Sequence, residues 1–161
     1  MIAAAGLRSG LIALLSTLVS ILAFVIWPAG AQAQLVDTPA NLVKAWADAY
    51  ATRLGEPMGR VYASDAQLWG SQSKEASSGL ANIKQHYERT GQNVAERSAQ
   101  VTKVQFHSRK RVTTVTGFVD LKAKLKDGTL RSNPARFSMT IVRESRRQWA
   151  IFGHHVSFVP N

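Results

Sequence analysis

The feature that most constrains this 161-residue chain is a change of hydrophobic period near Val94. Before it, apolar residues recur at helical spacing; after it they alternate, β-branched residues replace Ala-rich runs, and turn signals appear at intervals. The second half therefore predicts four long strands, at about 94–107, 111–125, 130–143 and 148–159. Asp127-Gly128 reads as a two-residue hairpin turn with both positions at positive φ, while Arg109-Lys110 and Ser145-Arg146-Arg147 suit the other two connections.

The first half supplies the elements that must cover this meander. Thr38-Pro39 is a helix start, with a capping oxygen followed by a proline whose missing N–H costs nothing there. Leu42, Ala45, Trp46, Ala49, Tyr50 and Arg53 then form one stripe of an amphipathic helix that Gly55 is expected to end. A short second helix through Met58, Val61 and Tyr62 is expected next, then a brief strand from Ala66 to Trp69, then a third helix marked by Leu80, Ile83 and Tyr87 and ending at Gly91. Each amphipathic stripe needs an apolar partner, so three helices against one face of a curved antiparallel sheet make an α+β domain.

The N-terminus reads as targeting information. Arg8 is the only charge in residues 1–10, an uncharged run of 17 residues fills 11–27, and Pro28-Ala29-Gly30 precedes Ala31-Gln32-Ala33. Short side chains in an A-x-A pattern are what a signal peptidase accepts, so residues 1–33 are expected to be a signal peptide cleaved near Ala33. The protein would then be exported, periplasmic or secreted, with residues 34–161 as one domain. The alternative is a retained anchor, because 17 residues lie at the bottom of the spanning range of roughly 17–25. With no cysteine, the domain cannot use disulfides and must rest on an ordinary core.

The order of Y-A-S-D-A-Q-L-W-G at 62–70, S-G-L-A-N-I-K-Q-H-Y at 78–87, V-T-T-V-T-G at 112–117, A-R-F-S-M-T-I-V-R at 135–143 and W-A-I-F-G-H-H-V-S-F-V-P at 149–160 resembles the nuclear transport factor 2-like superfamily. Within it, the nearest likeness is to the SnoaL-like proteins and the association domain of calcium/calmodulin-dependent protein kinase II. The resemblance implies a cone in which a curved sheet wraps helices around a deep pocket, usually in a homodimer paired through sheet faces. It also implies two kinds of function: a small-molecule-binding or association module, or an isomerase-, hydrolyase- or cyclase-type enzyme with acid-base groups in the pocket.

Several residues could carry such chemistry. Arg136 matches an arginine that reaches into the pocket of the kinase association domain, and a guanidinium fork there would recognise a carboxylate-bearing, anionic ligand. The alternative is an Arg136 on the outer face of its strand or paired with Asp120. Tyr50, Trp46, Trp69 and Tyr87 are candidate pocket walls, with plain core packing as the other reading. Under strict alternation His155 joins Trp149, Ile151 and Ser157 on one face, and His154 joins Phe152, Val156 and Phe158 on the other, so at most one histidine enters the pocket, a hydrogen-bonded structural histidine being the other reading. His155 and Asp120 are the candidate acid-base groups, although Asp120 shares its face with Lys122 and Lys124.

Absences narrow the field. Two adjacent histidines without a third ligand at workable spacing do not predict a metal site, and neither a Gly-rich phosphate loop nor a dinucleotide fingerprint is present, so no cofactor is expected. Charge is uneven: Lys/Arg and Asp/Glu balance at six each over 34–93, but stand at thirteen against four over 94–161. Arg109, Lys110, Arg111, Arg146 and Arg147 are expected to gather at one end of the sheet, with Lys124, Lys126 and Arg131 at the other. These turns either contact an anionic surface or serve as a solvated rim; without interleaved aromatics they do not predict specific nucleic-acid binding.

Overall fold

A computed structural model describes residues 36–160. The expected signal peptide at 1–33 lies outside these residues. The segment Ala33–Asn161 forms a compact unit of its own. Among the described residues no helix is long and apolar enough to cross a membrane.

Helix α1 spans Pro39–Ala51, and Thr38 caps it by accepting from the Asn41 N–H at 3.1 Å. Leu42, Trp46 and Ala49 on its stripe are buried. The helix stops earlier than Gly55: Thr52 is the C-cap and Arg53, at φ 67°, takes the left-handed position. Arg53 is held there by its guanidinium, which donates to the Val94 carbonyl at 2.9 Å. The expected second helix is only a 3₁₀ turn at Glu56–Arg60, and Tyr62 instead opens strand β1, which runs Tyr62–Trp69 rather than 66–69. A two-residue strand β2, Ser77–Ser78, precedes helix α2 at Leu80–Gly91.

The four long strands are β3 (Val94–Arg109), β4 (Val112–Leu125), β5 (Leu130–Ser145) and β6 (Gln148–Phe158). Two helices and one curved sheet of six strands, ordered β2-β1-β6-β5-β4-β3, make the cone-shaped α+β fold. The sheet is not wholly antiparallel, because β1 returns from the helical half to lie parallel to β6. The loop at Asp127-Gly128 also differs from expectation. It covers four residues between β4 and β5, only Gly128 has positive φ (87°), and the Asp127 carboxylate accepts from the Thr129 N–H at 2.9 Å. That side-chain turn does the work assigned to a second left-handed residue.

A bulge in β6 decides which residues face inward. Ile151 pairs with Ile141 but Gly153 pairs with Thr140, so Phe152 is an extra residue opposite β5. Alternation restarts after it. His154 therefore lies on the buried face with Trp149, Ile151 and Val156, while exposed Phe152 and His155 point away. The core beneath α1 is built from Leu42, Trp46, Ile83, Val115, Val119, Phe137, Met139, Ile141 and Ile151.

Candidate functional site

Four buried polar side chains cross the interior in a line. Trp46 Nε1–H donates to Tyr87 Oη at 3.2 Å, Tyr87 and Tyr62 hydroxyls lie 2.9 Å apart, and Tyr62 Oη lies 2.6 Å from His154 Nδ1. An indole N–H can only donate, so the cheapest arrangement runs Trp46 to Tyr87 to Tyr62 to His154. Each hydroxyl then accepts once and donates once. The reverse order would leave the Tyr87 O–H without an acceptor in addition to the His154 Nε2 that lacks a partner in either case. The chain thus fixes His154 with its proton on Nε2. Burial, then the neighbouring His155 and His86, pull the His154 pKa down to about 3, so the ring is neutral. Burial also pushes the Tyr62 and Tyr87 hydroxyls above their usual pKa, which keeps both as donors.

Beside this chain a cavity of about 350 Å³ opens between the end of α1, helix α2 and the ends of β3, β4 and β5. Tyr50, Tyr87, His86, Arg97, Asn133 and Phe158 are among its walls. Arg89 and Arg131 also border it, and among the described residues no Asp or Glu does. Its central group is Arg97, which is 7% exposed. The Arg97 Nε–H donates to the Tyr50 carbonyl, and the guanidinium lies 4.3 Å from the Tyr50 ring centre and 5.9 Å from that of Tyr87. Its Nη2 is shielded from solvent and has no hydrogen-bond partner among the described residues. Burial lowers the Arg97 pKa from its usual value, the Tyr50 and Tyr87 phenols oppose this, and Arg53 adds to it. Burial likewise lowers that of His86.

The residues singled out from the sequence divide between the two faces of the sheet. Tyr50 and Tyr87 line the cavity, and His154 is buried behind it. Trp69, Arg136, His155 and Asp120 do not enter the cone. Trp69 is 44% exposed, because Leu68 takes the inward position of β1. Arg136 is exposed on the outer face and donates to Ser157 Oγ at 3.0 Å; its register partners are Phe118 and Ser157. His155 stands outside opposite Ser138, and Asp120 lies outside opposite Gln100 and Pro134. A guanidinium does occupy the cone, but it is Arg97. Its signal was a two-residue repeat, Arg97 with Ala99 and Val101, which sets one arginine on an otherwise apolar face of β3.

The outer face has its own feature. A groove of about 600 Å³ runs past Lys103, Thr116, Phe118, Arg136, His155 and Ser157. Gly117 also lines it, and a side chain at that position would run into the Lys103 carbonyl and the buried Phe137 ring. Exposed Trp69, Phe118 and Phe152 share this face. Among the described residues no group of three or more His, Asp or Glu is placed to hold a metal ion.

This curved sheet wrapped on two helices is the nuclear transport factor 2-like fold. The chain belongs to the SnoaL-like domain family, whose model matches residues 40–161. Its structure is similar to a calcium/calmodulin-dependent protein kinase II association-domain protein of Xanthomonas campestris, at 20% identity and TM-score 0.69, over 76% of this chain and 86% of that one. A nuclear transport factor 2-like superfamily protein of Salmonella enterica matches at 13% identity and TM-score 0.68, over 74% and 87%. A protein assigned as a scytalone dehydratase in Novosphingobium aromaticivorans matches at 11% and 0.68, over 75% and 81%. At these identities the likeness is one of fold. No curated protein matches the chain by sequence.

Proposed function

We propose that the protein is an exported binding module that takes a small carboxylate-bearing ring compound into the mouth of its cone. The observation that carries this reading is the buried Arg97 guanidinium, whose Nη2 has no partner and whose cavity contains no acid. Burying an uncompensated charge is costly, and a carboxylate accepting from Arg97 would relieve that cost. Tyr50 and Tyr87 give the cavity an aromatic lining, and the volume of about 350 Å³ suits a molecule of one or two rings.

Isothermal titration with benzoate, and with neutral benzamide as its near-isostere, tests the reading. Benzoate binds in preference to benzamide. Arg97→Gln weakens benzoate by roughly 10–100-fold, the range for losing charged hydrogen bonds worth ~1.5–3 kcal/mol. Arg136→Ala leaves it unchanged. Equal binding of both compounds, or insensitivity to Arg97→Gln, contradicts the assignment.

The module pairs with a second copy through the outer face, where Trp69, Phe118 and Phe152 leave apolar surface in water. An enzyme of the isomerase or hydrolyase type is the second reading. It rests on His86, which borders the cavity and is kept neutral by burial, ready to accept a proton. His155 and Asp120, on the outer face, cannot serve that cavity. For any compound found to turn over, His86→Gln would abolish turnover while benzoate still binds.

A further inference from the structure

The two hairpin turns at the end of the sheet opposite the cavity mouth carry charge that no acid among the described residues pairs with. The turns are Lys110-Arg111, between β3 and β4, and Arg146-Arg147, between β5 and β6. With Arg109 and Arg143 they bring six cations together, all exposed, and Glu144 is the one acid among them. The ion pairs of the described residues, Lys44–Asp48, Lys84–Glu56 and Lys124–Glu96, involve none of the six.

Arginine side chains donating to backbone carbonyls hold the two turns side by side despite their mutual repulsion. Arg111 donates to the Arg143 carbonyl at 2.7 and 3.1 Å and to that of Glu144 at 3.1 Å, while Arg143 donates to the Arg146 carbonyl at 2.8 Å. Arg109, Lys110, Arg146 and Arg147 are left with no side-chain hydrogen bond among the described residues. Phe106 and Val112, 38% and 42% exposed, flank the first turn.

The chain also enters the domain here. The Val36 carbonyl accepts from the Trp149 N–H at 3.0 Å, two residues past Arg147.

We propose that this basic end of the sheet docks on an anionic phospholipid surface. Lys and Arg side chains near such a surface are drawn to headgroup phosphates within a Debye length, about 10 Å at 0.1 M salt. Phe106 and Val112 add apolar contact at the headgroup boundary. A nucleic acid fits less well, because a bound strand stacks its bases on several rings set among the cations and this end exposes one phenyl ring, Phe106; its tryptophan, Trp149, is buried, with Arg143 5.7 Å from its ring centre.

The test is flotation of the 34–161 domain, a compact unit without the apolar run, with vesicles of phosphatidylcholine alone or mixed with phosphatidylglycerol. Binding is expected to the mixed vesicles only, and to be lost near ~1 M salt, where the Debye length falls to about 3 Å. R146E/R147E and, independently, R109E are expected to weaken it by about tenfold or more and by a smaller factor respectively, with unchanged melting temperatures. K124E/K126E, at the far end, is expected to leave it intact. The proposal is overturned by no binding to the mixed vesicles, by equal losses from K124E/K126E and R146E/R147E, or by tighter binding to duplex DNA than to vesicles at the same salt.

Discussion

Three residue types stand on both sides of one sheet, and their environments are opposite. Trp46, His154 and Arg97 lie inside the cone; Trp69, His155 and Arg136 lie outside it. Inside, the rings are packed, and among the described residues two fully shielded side-chain polar atoms lack a partner, His154 Nε2 and Arg97 Nη2. Outside, the same side chains are solvated, and Arg136 bonds only to Ser157. Residue type therefore says little about a role in this fold; which face a residue occupies says most of it.

The largest contrast concerns the tryptophans. Trp46→Ala empties a fully buried site and removes a donor from the interior chain, and urea unfolding should show a loss of about 3–5 kcal/mol. Trp69→Ala should cost less than about 1 kcal/mol at dilutions where the protein is monomeric. Similar losses from both would break the comparison.

The histidines give the next effect. His154 has a folded pKa of about 3, below the unfolded value of about 6.5. As pH falls, the unfolded chain takes up this proton first. The contribution is thus fully present above about pH 6.5 and is lost progressively toward pH 3, at about 1.4 kcal/mol per pH unit. Between pH 6.5 and 4.5 that is about 2–3 kcal/mol. His154→Gln should remove this part of the slope in denaturation curves taken across pH, and His155→Gln should leave it. His86, lowered for the same reason, adds a residual slope of the same sign.

A smaller effect comes from hydrogen bonds on the two faces. Tyr87→Phe strands the Trp46 N–H in a dry interior and should cost about 1–3 kcal/mol. Ser157→Ala, which removes an exposed acceptor from Arg136, should stay within about 0.5 kcal/mol.

These contrasts explain how much could be read from the sequence. The four long strands were legible because alternation and β-branching continue over many residues, and the basic turns followed from where those strands end. The family likeness was legible in short motifs such as that at 149–160. The bulge at Phe152 was not legible: one extra residue leaves composition unchanged yet moves Trp149 and Ile151 from the face of His155 to that of His154. Tyr62 fitted a helical stripe as well as a strand start, and parallel pairing with β6 decided between them. Arg136 drew attention through its family match. Arg97, whose position between small apolar neighbours was visible in the two-residue repeat, carries the interior charge instead.

The account turns on the place where an anion binds. A crystal structure of the protein grown with benzoate should show the carboxylate within about 3 Å of a guanidinium nitrogen of Arg97, with the ring against Tyr50 or Tyr87. A benzoate seated against Arg136 on the outer face, with the cone still empty of it, would contradict the account.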